Sequence, residues 1–520
     1  MSAELALAIV ATVDLCLKYG TELKQVCTTL GAASSEVAEA VLKLENGLLR
    51  FQQQLDFSQR IRHLMSRQHQ EIYDRSLVMF QSKLEILKSI LQSATSPTDV
   101  DGLDRLKYLW KRNVITEAIQ NLETWQALTD QTWFLFMTIV DAGVDDALTM
   151  KDSKVLSIIP SASTIRSSCM LNKSLSGAKL VLPHGEIEKM EVSDIAFSDV
   201  KLAKRDSSSG SSSIYILNEI SGLQSPPGSY FSRYTIAKED SGQLASRLQH
   251  NEPEKFGLLT CKGFTLSGTK ANPKITLVLR TPPGLLPCPR SLRDLLLSTE
   301  LPGSLTQRLD IAKGLANAVG YVHVFGFVHK NIRPESILCF NRPDGEIAST
   351  FLVGFELFRR DMGWTQRLGD TAPDKNLYRH PSRQGIDPAY NYTMQHDIYS
   401  LGVCLLEIGL WKSFIDYTPP GTRLAALVSD ALQSPTGVND QQLNVRLSVE
   451  GKERLVCLAR EKLPQFMGTK YSEVTIACLT FMDKESPEPS DDLEPGDDKE
   501  VLIGVQYIDQ ILLLLNTIVM

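Results

Sequence analysis

The stretch VHKNIRPESIL, residues 328–338, decides how this 520-residue chain is read. It follows a helical stretch, TQRLDIAKGLANAVGYVHVFG at 306–326, in which Leu309, Ala312, Ala316 and Val319 recur at helical spacing and form one buried face. Thirteen residues beyond Leu338 comes FLVGFE at 351–356, then YRHP at 378–381 and HDIYSLGVCLLEIGLW at 396–411, again helical. Upstream the pattern changes. KLVL at 179–182, SIYILNE at 213–219 and ITLVLR at 275–280 read as strands, separated by turn-forming segments such as RDSSSGSSS at 205–213 and SPPGS at 225–229. Helical stretches SLRDLLL at 291–297 and GQLASRLQ at 242–249 complete the order, a small strand-rich part before a larger helical one.

This order, and these motifs at this spacing, resemble a protein kinase. VHKNIRPESIL resembles the catalytic loop, usually H-R-D-L-K-P-E-N, and FLVGFE stands where strand-Asp-Phe-Gly stands. YRHP lies near the A-P-E position, Asp397 matches the Asp that braces the catalytic loop, and Gly402 lies in the buried helix after it. The resemblance covers residues 175–520 and implies a bilobal α+β fold, with an N-lobe at about 175–284 and a C-lobe at about 285–520. His329, Pro334, Glu335, Asp397 and Gly402 are then structural residues of the motif.

Phosphoryl transfer in that family rests on positioning and charge. A carboxylate accepts the substrate proton, a second carboxylate and an Asn hold magnesium, and a Lys on the third strand holds the nucleotide phosphates. Here Asn331 stands at the base, and an amide has no protonation equilibrium near neutral pH. Ser336 replaces the metal-binding Asn, Gly354 the metal-binding Asp, and Arg333 the Lys of the loop. Asn218 falls at the third-strand Lys, or Glu219 if the match slips by one. GQLASRLQ has no acidic residue, and HGEIEKMEV at 184–192, the nearest candidate for a phosphate-cradling loop, has one Gly. Each missing electrostatic partner costs on the order of a few kcal/mol at the transition state. The expectation is a non-catalytic pseudokinase with no catalytic residue, cofactor or metal, acting as a signalling or scaffold protein. The alternatives are a divergent active kinase that binds ATP and a plain interaction scaffold.

The first third is helical. Val37, Val41, Leu44, Leu48, Phe51 and Leu55 form one stripe, and Tyr73, Leu77, Phe80, Leu84, Leu87 and Leu91 a second. An apolar helix at 4–16 precedes them, and a stretch at 103–147 carrying Trp110, Trp125 and Trp133 follows. Each stripe alone would leave an apolar face in water, so an all-α bundle is expected. ELALAIVATVDLCLKYGTELKQV with EVAEAVLKLENGLLRFQQQLDF resembles the N-terminal helical domain of fungal HeLo-type proteins. That resemblance implies incompatibility or cell-death signalling, self-association through the bundle, and conditional membrane contact by residues 4–16. The expected plan is multidomain: 1–150 a HeLo-like bundle, 151–174 a linker, 175–520 the kinase-like domain.

Bulk properties bound the rest. Net charge is −7 with pI near 5.7, which argues against general nucleic-acid binding. The nine cysteines include no zinc-ligand pair and suit a reducing compartment. No run reaches the roughly 20 apolar residues of a membrane span, so the protein is expected in the cytoplasm, with membrane association only on activation. KESPEPSDDLEPGDDKE, 484–500, reads as a solvated acidic loop, and Val505, Ile508, Ile511 and Leu515 as the buried face of a last helix. The expected partners are proteins.

Overall fold

The computed structural model describes residues 7–15, 18, 35–65, 67–95, 180–183, 185–206, 212–224, 233–249, 252–269, 272–298, 304–343, 345, 347–360, 371–385, 391–418, 421–432, 439–483, 503–504 and 506–518. The chain divides into two compact units, Met1–Ser163 and Thr164–Met520. The expected linker at 151–174, the helical stretch at 103–147 and the acidic loop at 484–500 lie outside the described residues.

The first unit is helical: α1 (7–15), α2 (Ser35–Ile61) and α3 (Arg67–Thr95). Leu44, Leu48, Phe51 and Leu55 of the first stripe and the whole second stripe are buried; the side chains of Val37 and Val41 lie outside the described set. The stripes meet where Phe51 of α2 packs on Phe80 of α3, ring centroids 3.8 Å apart. On α1, Ile9 and Val13 are buried and Leu7 is exposed, while Thr12 donates a hydrogen bond to Glu85 of α3 at 3.1 Å.

The second unit begins with a five-stranded antiparallel sheet: β1 (Glu191–Asp194), β2 (Lys201–Asp206), β3 (Ser212–Ile220), β4 (Cys261–Thr269) and β5 (Asn272–Arg280), in the order β1-β2-β3-β5-β4. The expected strands at 213–219 and 275–280 are β3 and β5. That at 179–182 contributes only an isolated bridge from Val181 to Phe264 of β4. β1 and β2 escaped notice because charged residues hide their pattern; β1 is exposed along its whole length. Helix α4 (Arg233–Arg247) lies against β4 and β5 and starts nine residues before the expected 242. The extra turns bring in Glu239 and Asp240, which corrects the expectation of a helix without acidic residues.

Behind the sheet the chain is mainly helical. Ser291 caps α5 (Leu292–Leu297) by accepting from the Asp294 N–H at 3.1 Å, and Ser304 caps α6 (Leu305–Val324) in the same way. A capping box at Thr393 opens α7 (Met394–Leu410), whose residues are nearly all buried, the pattern of a central helix. α8 (Lys452–Leu479), bent at Gly468, packs on it. Gly402 permits that approach, since a Cβ there would lie 2.8 Å from the Cys478 Cβ. Ile508, Ile511 and Leu515 are buried as expected, and the Tyr507 hydroxyl donates to the Ala316 carbonyl at 2.7 Å. Among the described residues no helix is long and apolar enough to cross a membrane.

Candidate active site

The loop at 328–336 leaves the short strand β6 (Phe327–Val328) and runs into β7 (Ile337–Asn341), which pairs with β8 (Ile347–Leu352). Asp397, at the start of α7, anchors it. One carboxylate oxygen accepts from the His329 N–H at 2.7 Å and lies 3.3 Å from His323 Nε2. The other accepts from the Lys330 N–H at 2.9 Å and the Tyr392 hydroxyl at 2.8 Å. Burial opposes ionisation of Asp397, but these donors, His323 first, outweigh it and hold the carboxyl below its usual range. His329 Nε2 donates to the Val353 carbonyl at 2.9 Å and Nδ1 accepts from the Asn331 N–H at 3.3 Å, one consistent neutral tautomer. Burial lowers its pKa to about 4, so the ring stays neutral at physiological pH.

The residues named from the motif converge beside this brace. Asn331 donates its amide to the Gly354 carbonyl at 3.2 Å and accepts from Arg333 Nε at 3.0 Å. The Ser336 hydroxyl is turned to backbone, 2.7 Å from the Asn331 carbonyl and 2.9 Å from that of Arg333. Gly354 has φ of 80°, and a Cβ there would stand 2.8 Å from the Ser336 Cβ. The glycine is therefore required by a left-handed backbone and a close contact together. Asn218, fully buried on β3, accepts from the Phe355 N–H at 2.7 Å, while its own Nδ2 has no partner among the described residues. It ties the sheet to the segment after Gly354. Pro334 and Glu335 lie in the turn that closes the loop.

Sequence reading missed four features. Glu356 is one: burial, then the nearby Asp199, raises its pKa to about 7, with Arg333 opposing. The second is the β1–β2 connection, which is Ile195–Val200 rather than HGEIEKMEV and contains no glycine. Third, Asp240 of α4 pairs with Arg360 at 2.7 Å rather than with a β3 residue. Fourth, Arg293 is wholly buried, bonded to Glu335 at 3.1 Å, Glu407 at 2.8 Å and the Tyr378 hydroxyl at 2.5 Å. Burial alone would lower this guanidinium; the Glu407 carboxylate beside it reverses the sign and holds it charged. Only Glu356 stands at a motif position, where it replaces a Gly; the other three features belong to no short motif.

A pocket of ≈ 210 Å³ opens next to the loop. Lys330, Arg233, Arg379 and Arg383 line it, with Glu356 and Tyr392. Burial, then Arg359 and Arg383, brings the Lys330 ammonium down to about 7. Lys330 holds φ of 65°. Among the described residues no group of three or more His, Cys, Asp and Glu is arranged to hold a metal ion.

No family model matches the chain. Curated relatives do. A serine/threonine-protein kinase-like protein of Arabidopsis thaliana is 32% identical over 135 residues, 24% of this chain and 35% of the relative. Eukaryotic translation initiation factor 2-alpha kinase 1 of Rattus norvegicus is 29% identical over 152 residues, 27% of this chain and 22% of the relative. The MAP kinase kinase skh1/pek1 of Schizosaccharomyces pombe is 27% identical over 154 residues, 29% of this chain and 39% of the relative. The chain thus spans between about a fifth and two fifths of the relatives it matches. They correct one expectation. The substitutions at 331, 336 and 354 led to a non-enzyme, whereas these relatives are named as kinases or kinase-like and point toward a kinase. The motif reading counted the carboxylates lost and took Glu356 only as a replacement for the Gly of the Asp-Phe-Gly triplet, not as a carboxylate gained. Folding pattern and relatives together establish that the chain contains a protein-kinase-like domain.

Proposed function

We propose that the chain is a divergent protein kinase. It binds a nucleoside triphosphate such as ATP between the β1–β5 sheet and the 328–336 loop and passes the terminal phosphoryl group to a protein hydroxyl. One observation supports the reading most: the 328–336 loop, braced by Asp397, comes together with Arg333, Gly354 and Asn218 of β3. Glu356 lines the adjoining pocket as an ionisable carboxylate, which burial and then Asp199 raise to about 7. A general base works best when its pKa is near the working pH. Glu356 takes the hydroxyl proton that Asn331 cannot take. Asn331 instead holds Arg333 and Gly354 in position, and Arg333 faces the charge on the transferred group.

Magnesium is the ion this family implies. Gly354 supplies no side chain and the Ser336 hydroxyl is committed to two carbonyls, so the residues at the family's metal positions do not fit the usual pair of ions.

The test is transfer of labelled phosphate from ATP to a mixed serine/threonine peptide pool by the full chain. Glu356→Gln is expected to lower the rate about 10²-fold, the low end of a general base's contribution. The wild-type rate is expected to rise with pH as Glu356 ionises, a titration that burial holds above the ordinary carboxylate range. Failure of the wild type to transfer phosphate, or a Glu356→Gln protein as fast as wild type, overturns the proposal.

For residues 1–150 the proposal is a HeLo-type bundle that joins protein partners and contacts membranes conditionally through residues 4–16. Burial of Ile9, Val13 and the described residues of the two stripes supports a packed helical unit. Leakage of anionic liposomes on addition of the full chain, lost in Leu7→Asp while circular dichroism is unchanged, is the expected result. Leu7 is the place to probe because it is exposed.

A further inference from the structure

The β1–β2 connection does not stand clear of the cleft. Four successive residues of it are fastened to the helical side. The Ala196 carbonyl accepts from the Ser291 hydroxyl at 2.6 Å. The Phe197 ring sits edge-on against Tyr417, centroids 4.8 Å apart at 63°. The Ser198 hydroxyl donates to the Glu335 carbonyl at 2.7 Å. Asp199 forms an ion pair with Arg333. The anchors are themselves rigid. Glu335 and Tyr417 are bonded to each other, Glu335 takes the buried Arg293, and Ser291 caps α5.

Two features suit this segment to a strap rather than an open loop. It contains no glycine, so its backbone amides cannot crowd against an anion as a glycine-rich loop permits. Phe197 holds φ of 51°, a left-handed conformation that an aromatic residue adopts only when its surroundings impose it. Ile195 and Val200, at either end, are buried and hinge the segment to the sheet.

We propose that Ile195–Val200 is an autoinhibitory strap in which the Asp199 carboxylate occupies Arg333 in place of the phosphate oxygens of an incoming nucleotide. The proposal rests on the kinase reading and names a regulation of that same site. Polyphosphate and Asp199 compete for one guanidinium, and carboxylate and phosphate both match its fork. Admission of nucleotide requires Asp199 to leave, and the Ser198 and Phe197 contacts must yield with it. Measured affinity is then reduced by the fraction of molecules whose strap is open.

The test uses the full chain, inorganic tripolyphosphate as probe, calorimetry at pH 8 and hydrogen exchange across residues 195–200. Asp199→Asn is expected to bind tripolyphosphate about tenfold more tightly and to exchange the strap amides about tenfold faster, following the open fraction. Removing a negative charge would by itself favour an anion. Phe197→Ala alters no charge and is expected to tighten binding about threefold by the same opening. Equal affinities in all three proteins, binding by none of them, or strap amides that exchange in the wild type as fast as in an unstructured peptide overturn the strap. Labelled phosphate transfer separates the two proposals. Wild type and both variants transferring at one rate overturns the strap and leaves the kinase reading. Variants that bind tripolyphosphate more tightly yet transfer nothing overturn the kinase reading and leave the strap.

Discussion

The two sides of the 328–336 loop are built from similar residues and end in opposite electrostatic states. On one side, Asp397 is fully buried and accepts from two backbone amides and the Tyr392 hydroxyl, with His323 beside it, so its charge is compensated from every direction. On the other, Glu356 is displaced to about 7 by burial and by Asp199, and Lys330 to about 7 by burial and by Arg359 and Arg383. A buried charge with all its partners specifies a shape. Buried charges set against their own kind hold free energy that a ligand, a proton or a moving segment can release. The brace is therefore architecture, and the Glu356–Lys330 side is where function is to be sought.

Removing the brace is expected to have the largest effect. Asp397→Ala leaves the His329 and Lys330 amides and the Tyr392 hydroxyl without their acceptor in a dry interior. Loss of a buried charged partner costs about 3–5 kcal/mol. Urea unfolding of the full chain, monitored for the second unit by hydrogen exchange of α6 and α7 amides, is the check. A loss below about 1 kcal/mol, the value of one ordinary hydrogen bond, would place the brace among dispensable contacts.

Gly354→Asp is next. It restores the residue that the motif expects, yet the backbone at φ of 80° and the Ser336 Cβ at 2.8 Å oppose any side chain. Ser336 is fully buried and its Cβ cannot swing aside. We expect a loss of about 1–3 kcal/mol, the range for backbone strain at such a position. Combining it with Ser336→Gly, which removes the contacting Cβ, is expected to recover part of the loss. A single Gly354→Asp protein as stable as wild type would mean that the segment relaxes freely and that this side of the loop is not pre-set.

What could be read beforehand follows the same division. The helix around Leu309–Val319 shows its buried face by period, while Ile398–Leu410 and strands β3 and β5 read as continuous apolar runs. The catalytic-loop positions were legible because a motif fixes their order. Residues Ile195–Val200 were not, because no local pattern says that a loop folds onto Glu335, more than a hundred positions away. The start of α4 was missed because Tyr234, Thr235 and Ile236 are weak helix formers, and packing on β4 and β5 overrides that preference. Arg293 and Glu407 each sit beside leucines in their helices, and only their burial together turns two surface-type residues into a core pair. Glu356 reads as one more departure from a motif until its neighbours are known.

The smallest effects expected are the most specific to the charged side. Lys330 and Glu356 line one pocket and are both displaced to about 7, from ordinary values of 10.5 and 4.5. The displacements have opposite consequences. For Lys330 the unfolded chain holds the extra proton between pH 7 and 10.5, so its contribution to stability rises with pH across that window. Replacing it removes a penalty that is full at pH 7 and below. Lys330→Met is therefore expected to be more stable than wild type at pH 6 and to lose that advantage steadily toward pH 10. For Glu356 the folded chain holds the extra proton between pH 4.5 and 7, so its contribution falls as pH rises through that window. Glu356→Gln is accordingly expected to match wild type near pH 4.5 and to exceed it at pH 7 and above. Thermal melts of both variants from pH 4.5 to 10 give two difference curves that slope in opposite directions. Parallel curves, or flat ones, would show that the pocket compensates these charges as fully as the brace compensates Asp397, and the contrast between the two sides of the loop would disappear.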